Sequence, residues 1–171
     1  MDSRPAGPFA GTLDLLPGLQ VVSARNAYGK SLASTAVVWC LGLEPIFGTQ
    51  DNDPICFPEA AREELDLLDR PATQVLSSEC SIRLIHEDGR SLKLTRAIKG
   101  DCRTVRVEEQ TVEGQIRRSK LVARRETMQD EHGGLQRFLF DWLKWPRHEV
   151  TTFRGAAAEI YLGEFGACLL H

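Results

Sequence analysis

Lys30 and Ser31 are the side chains best placed to do chemistry in this sequence. They close the segment Ser23-Ala24-Arg25-Asn26-Ala27-Tyr28-Gly29-Lys30-Ser31, which has the length and ending of a GxxxxGK[ST] phosphate-holding loop. Each part of such a loop has a physical task. Successive backbone N–H groups curl into a nest around a β-phosphate. The helix N-terminus behind them adds partial positive charge. Lys30 would reach the β- and γ-phosphates, and the Ser31 hydroxyl would ligate Mg²⁺. Gly29 lets backbone approach phosphate closely. The candidate nucleotide-binding set is therefore Arg25, Asn26, Ala27, Tyr28, Gly29, Lys30, Ser31 and Leu32. The competing reading is an ordinary strand–turn–helix with a surface lysine, because Ala24 stands where the pattern has its first glycine.

The loop must be held between a strand and a helix. Thr12 to Leu16 and Leu19 to Ala24 read as two short strands broken by Pro17-Gly18. A helix is expected from Lys30 to Leu41, apolar almost all round and so buried on most sides, with Gly42 as its stop. Residues 44 to 58 are loop-like. Glu59 to Leu68 reads as a short acidic helix. The stretch Asp51 to Asp69 holds seven acids and one arginine, a pattern usual for a solvated face.

The period then changes from 3.6 to 2. Cys80, Ile82 and Leu84, then Leu92, Leu94 and Ile98, then Val105 and Val107 alternate with polar residues. Turns fall at Asp88-Gly89 and Gly100-Asp101. The expectation is a three-stranded antiparallel meander with one apolar face. Arg117, Arg118, Lys120, Arg124 and Arg125 follow as a basic run, a candidate DNA-facing strip or a solvated hairpin. A second helix is expected from Gly134 to Trp145, because Leu135, Phe138, Leu139, Trp142 and Leu143 keep helical spacing and Pro146 ends it. The tail from Ala157 is apolar and reaches His171 in mid-run, which suggests a larger parent domain.

The 171 residues carry 42% hydrophobic and 26% charged side chains, which excludes a disordered tail, a collagen-like rod and a coiled coil. No apolar run is long enough to span a membrane, and no signal peptide is visible. Net charge is -3, so nucleic-acid affinity would have to come from a local patch. The five cysteines, Cys40, Cys56, Cys80, Cys102 and Cys168, form no CxxC motif and read as reduced, mostly buried thiols of a cytoplasmic protein. The scattered histidines give no zinc-ligand spacing.

The stretch Leu19-Gln20-Val21-Val22 through Gly29-Lys30-Ser31, with Ala36 and Leu41-Gly42 downstream, resembles the opening of the SMC and double-strand-break-repair class of ABC-type ATPases. Asn26 falls on that family's asparagine, and Gly29, Lys30 and Ser31 on its G-K-S. Leu92 to Ile98 resembles its strand carrying R-x-I, with Arg96 as the arginine. Tyr161-Leu162 resembles the approach to its Q-loop. Ala24 and Ala27 stand where the family prefers glycine, and Tyr28 replaces a small residue. Alanine at positive φ costs roughly 1–2 kcal/mol, so these departures imply weakened nucleotide affinity or a shifted loop.

The resemblance implies an α/β P-loop NTPase fold: the N-terminal lobe of an ABC-type head, with an antiparallel β-meander and a few helices. It implies bound ATP and Mg²⁺, DNA as a partner in repair, maintenance or defence, and completion by a C-terminal half-head or a second head as a homo- or hetero-dimer. The expected layout is a phosphate-loop unit over 1–50, an acidic loop over 51–71, the meander over 72–112, and the basic segment, helix and tail over 113–171. No Walker B carboxylate is visible: Phe138-Leu139-Phe140-Asp141 imitates one but lies in a helical period. The chain alone is thus expected not to hydrolyse ATP, and its apolar helix stripe and tail are expected to need a partner's cover. The alternative is a non-catalytic, β-rich interaction module whose phosphate loop is degenerate. A small nucleotide kinase fits less well, since it needs a lid arginine cluster and a Walker B strand.

Overall fold

The structure is a computed structural model that describes residues 10–15, 30–48, 53–67, 70–123, 134–146, 149–151, 155 and 157–159. The chain is an α/β protein built around one antiparallel sheet. Helix α1 spans Lys30–Cys40. Two 3-10 turns, Glu44–Phe47 and Pro54–Cys56, lead to the short helix α2 at Glu59–Arg62. Strands β1 (Glu64–Leu67) and β2 (Arg70–Gln74) form a small hairpin. Strands β3 (Ser78–Ile85), β4 (Ser91–Lys99), β5 (Thr104–Gln110) and β6 (Ile116–Val122) follow, then helix α3 (Leu135–Leu143). Strands β7 (Glu149–Thr151) and β8 (Ala157–Glu159) make a second small hairpin.

The main sheet runs β3-β4-β5-β6 in chain order, each pair antiparallel. Two-residue alternation sends one set of side chains inward. Ile82 lies opposite Leu94, and Leu94 opposite Val107; Cys80, Arg96, Val105 and Leu121 form the next row. Leu135, Leu139 and Trp142 of α3 and Cys40 of α1 cover this face, burying Leu92, Leu94, Val105 and Val107. Each such side chain contributes about 1.5–3 kcal/mol by leaving water. A smaller cluster of Trp39, Phe57 and Ile98 lies beside it, with Cys56 and Cys102 partly buried against it.

Two turns explain the chain path. At Asp88-Gly89 the hairpin closes through His86 N–H donating to the Arg90 carbonyl at 2.9 Å, with Gly89 at φ 90°. At the end of α1, Gly42 has φ 69°. Its N–H donates to the Trp39 carbonyl at 3.1 Å, and Leu43 N–H to the Val38 carbonyl at 3.0 Å, the paired bonds of a Schellman motif. A Cβ on Gly42 would also lie 3.3 Å from the Gln136 amide nitrogen and from Leu135. Glycine is needed there for both conformation and space.

Several expectations are corrected. Residues 10–15 carry no regular structure and are exposed, so the strand expected at Thr12 to Leu16 does not form over its described part; the strand at Leu19 to Ala24 lies outside the described residues. The acidic helix ends at Arg62, because from Glu64 the alternation with Leu65 and Leu67 builds strand β1. The meander has a fourth strand, β6, made from the basic run. Helix α1 is less buried than its composition suggested: Thr35, Trp39 and Cys40 are buried, whereas Leu32 is 38% exposed. The stripe of α3 expected to await a partner is already covered, with Leu135 and Leu139 fully buried against the sheet.

Candidate functional site

Helix α1 is described over Lys30–Cys40. Ser31, near the Lys30 end of that span, is exposed. The other end of the helix is held firmly. Trp39 Nε1 donates to the Ala97 carbonyl of β4 at 3.1 Å, and the Gln136 amide of α3 donates to the Leu41 carbonyl at 2.8 Å. Ser31 stands about 12 Å along the axis from Trp39. Arg25, Asn26, Ala27, Tyr28 and Gly29 lie outside the described residues, as does the Lys30 side chain.

The anchor beneath α1 is an ion pair that sequence reading missed. Arg96 lies on the inward phase of β4 and is fully buried; Glu44 is 1% exposed. Arg96 Nη2 donates to Glu44 Oε1 at 2.8 Å and Nη1 to Oε2 at 3.2 Å. Nη1 also donates to the Trp39 carbonyl at 2.6 Å, and Nε to the Cys102 carbonyl at 2.8 Å. The guanidinium carbon sits 3.8 Å from the centroid of the Trp39 ring. One cation thus ties α1, the following 3-10 turn, β4 and the β4–β5 turn together. The signal available in the sequence was a charged residue in phase with Leu92, Leu94 and Ile98.

Two thiols meet near this anchor. Cys40 Sγ of α1 lies 3.4 Å from Cys80 Sγ of β3. The hydrogen bond with Cys80, then burial, push the Cys40 thiol well above the usual range. The same bond, aided by the Arg96 charge and opposed by burial, pulls Cys80 below it. Either sulfur can donate in this contact, and Cys80 Sγ also lies within donor reach of the Ala36 and Arg96 carbonyls, at 3.9 and 3.8 Å.

The outer face of the sheet carries the charged side chains. Arg83, Lys93, Glu108 and Arg118 form one cross-strand row, and Ser81, Thr95, Arg106 and Lys120 the next. Arg118 Nε donates to Glu108 Oε2 at 2.9 Å, and Arg106 pairs with Glu79. The bond from Arg118 is the main reason the Glu108 carboxyl is held below its usual range. Five exposed cations face two acids, and Lys93, Thr95, Arg106, Glu108, Arg118 and Lys120 line a shallow depression of about 490 Å³. Of the expected strip, Arg118 and Lys120 share this face, whereas strand alternation puts Arg117 on the opposite one with Ser119 and Leu121. Arg124 and Arg125 lie outside the described residues. Arg83, Lys93 and Arg106, which the sequence spreads over separate strands, complete the patch.

Asp141 sits within α3, so the imitation of a Walker B strand is a helix. Among the described residues, no group of three His, Cys, Asp or Glu side chains could hold a metal ion, and no helix is long and apolar enough to cross a membrane. No protein-family model, no curated protein and no solved structure matches the chain.

Proposed function

We propose that this chain is the ATP-binding N-terminal lobe of an SMC-like ABC ATPase that acts on DNA. The observation carrying the reading is that Lys30 and Ser31 lie on helix α1, described over Lys30–Cys40, at the end away from the sheet anchor, with Ser31 exposed. A G-K-S loop places its lysine and serine on the helix that follows it. Lys30 would offset charge on the β- and γ-phosphates, and Ser31 would hold Mg²⁺, which supplies further charge neutralisation. The basic outer face of the sheet supports a DNA-backbone contact, since phosphate binding needs clustered cations rather than net positive charge. Hydrolysis would require a C-terminal half-head or a second head to supply the missing carboxylates.

The second reading, a non-catalytic interaction module, is favoured by Ala24 and Ala27 at glycine positions. Thermal unfolding with and without ATP–Mg²⁺ separates the two. A ligand at 100 times its Kd raises stability by about 2.7 kcal/mol, which raises the melting temperature by several degrees. No shift at millimolar ATP–Mg²⁺ would favour the module.

A further inference from the structure

We propose that Cys40 and Cys80 form a redox modification site, a dithiol that hydrogen peroxide converts into an intramolecular disulfide joining α1 to β3. The two sulfurs already stand 3.4 Å apart; a disulfide needs roughly 2.05 Å, so a small closure of two facing side chains suffices. The pair bridges elements 40 positions apart in sequence, and α1 packs directly on β3.

The two thiols differ in a way that assigns their roles. Cys80 is half-buried, so an oxidant of peroxide size has a route to it, whereas Cys40 is fully buried. The contact with Cys40 and the positive charge of Arg96 both favour the Cys80 thiolate. Cys80 is thus the attacking sulfur and Cys40 the resolving one. The Cys80 thiolate attacks one peroxide oxygen, the O–O bond breaks, and hydroxide leaves to become water with the proton Cys80 released. Cys80 is then a sulfenic acid. The Cys40 sulfur attacks Cys80 Sγ, its proton goes to the departing hydroxyl, the S–O bond breaks and a second water leaves. Two thiols lose two electrons in total, and one peroxide is reduced to two waters.

The consequence is mechanical. Cys40 is the last residue of the helix that carries Lys30, so the bond would pin the foot of that helix to the sheet. The proposal does not depend on nucleotide binding.

The test oxidises the reduced full chain with hydrogen peroxide, blocks remaining thiols, and maps linked peptides by mass spectrometry alongside thermal melts. The expected result is a Cys40–Cys80 peptide lighter by two hydrogens. The melting temperature should rise by roughly 5–15 °C, and dithiothreitol should reverse the rise. Cys80→Ser, which keeps a polar group at the half-buried position, should abolish both link and rise, while Cys56→Ser should keep them. Linkage through Cys56, Cys102 or Cys168 instead, links only between molecules, or oxidation of Cys80 to sulfinic acid without a disulfide would each overturn the assignment.

Discussion

Arg96 shows how one residue can fix a fold and also mislead a reader of sequence. On the inward phase of β4, with Leu92, Leu94 and Ile98, it breaks an otherwise apolar pattern. The sequence announces that a buried cation needs a partner, but the partner, Glu44, sits 52 positions away in a stretch without periodicity. Taking two charges out of water is costly, and pairing offsets that cost only with good geometry. Here the pairing is bidentate, and two backbone carbonyls accept further donors. The pair therefore serves register: slipping β4 by one residue would turn Arg96 outward and break its bidentate bond to Glu44. Arg96→Ala takes the bidentate cation away from a buried carboxylate and should cost about 3–5 kcal/mol in urea denaturation. Replacing both partners, Arg96→Met with Glu44→Leu, should cost less than the single change. A single variant within about 1 kcal/mol of the parent would remove the pair from its anchoring role.

At the scale of elements, the main sheet divides its labour by strand alternation. Its inner face takes α1 and α3; its outer face displays Arg83, Lys93, Arg106, Arg118 and Lys120 against Glu79 and Glu108. Strand β6 was hard to read from sequence because its inward positions include Arg117 and Ser119, so only Leu121 keeps the apolar alternation. That geometry gives a prediction with an internal control. DNA binding by the Lys93→Ala, Arg118→Ala, Lys120→Ala triple variant, measured across a salt series, should lose log K–log salt slope by about 0.9 for each phosphate contact removed. Arg117→Ala, on the other face, should leave the slope nearly unchanged. An effect of Arg117→Ala as large as that of the triple variant would mean the sheet's outer face is not the DNA contact.

For the whole molecule, what was legible followed local physics. The end of α1 at Gly42, the span of α3, and the turns at Asp88-Gly89 and Gly100-Asp101 were written in periodicity and turn chemistry. What was not legible depends on contacts between distant segments: Arg96 with Glu44, Cys40 with Cys80, and the gathering of cations from four strands onto one face. Helix α2 was overread because an acidic run with leucines fits both periods until the strand pairing decides. Helix α1 is anchored at its Cys40 end by Trp39, Arg96 and Gln136, and Lys30 and Ser31 lie at the other end of its described span. The most direct test is titration of the full chain and its Lys30→Ala variant with a fluorescent ATP analogue in the presence of Mg²⁺. A charge-assisted hydrogen bond is worth about 1.5–3 kcal/mol, so the variant should bind roughly 10- to 100-fold more weakly. Equal affinities, or no binding by the parent chain, would contradict the nucleotide-binding reading.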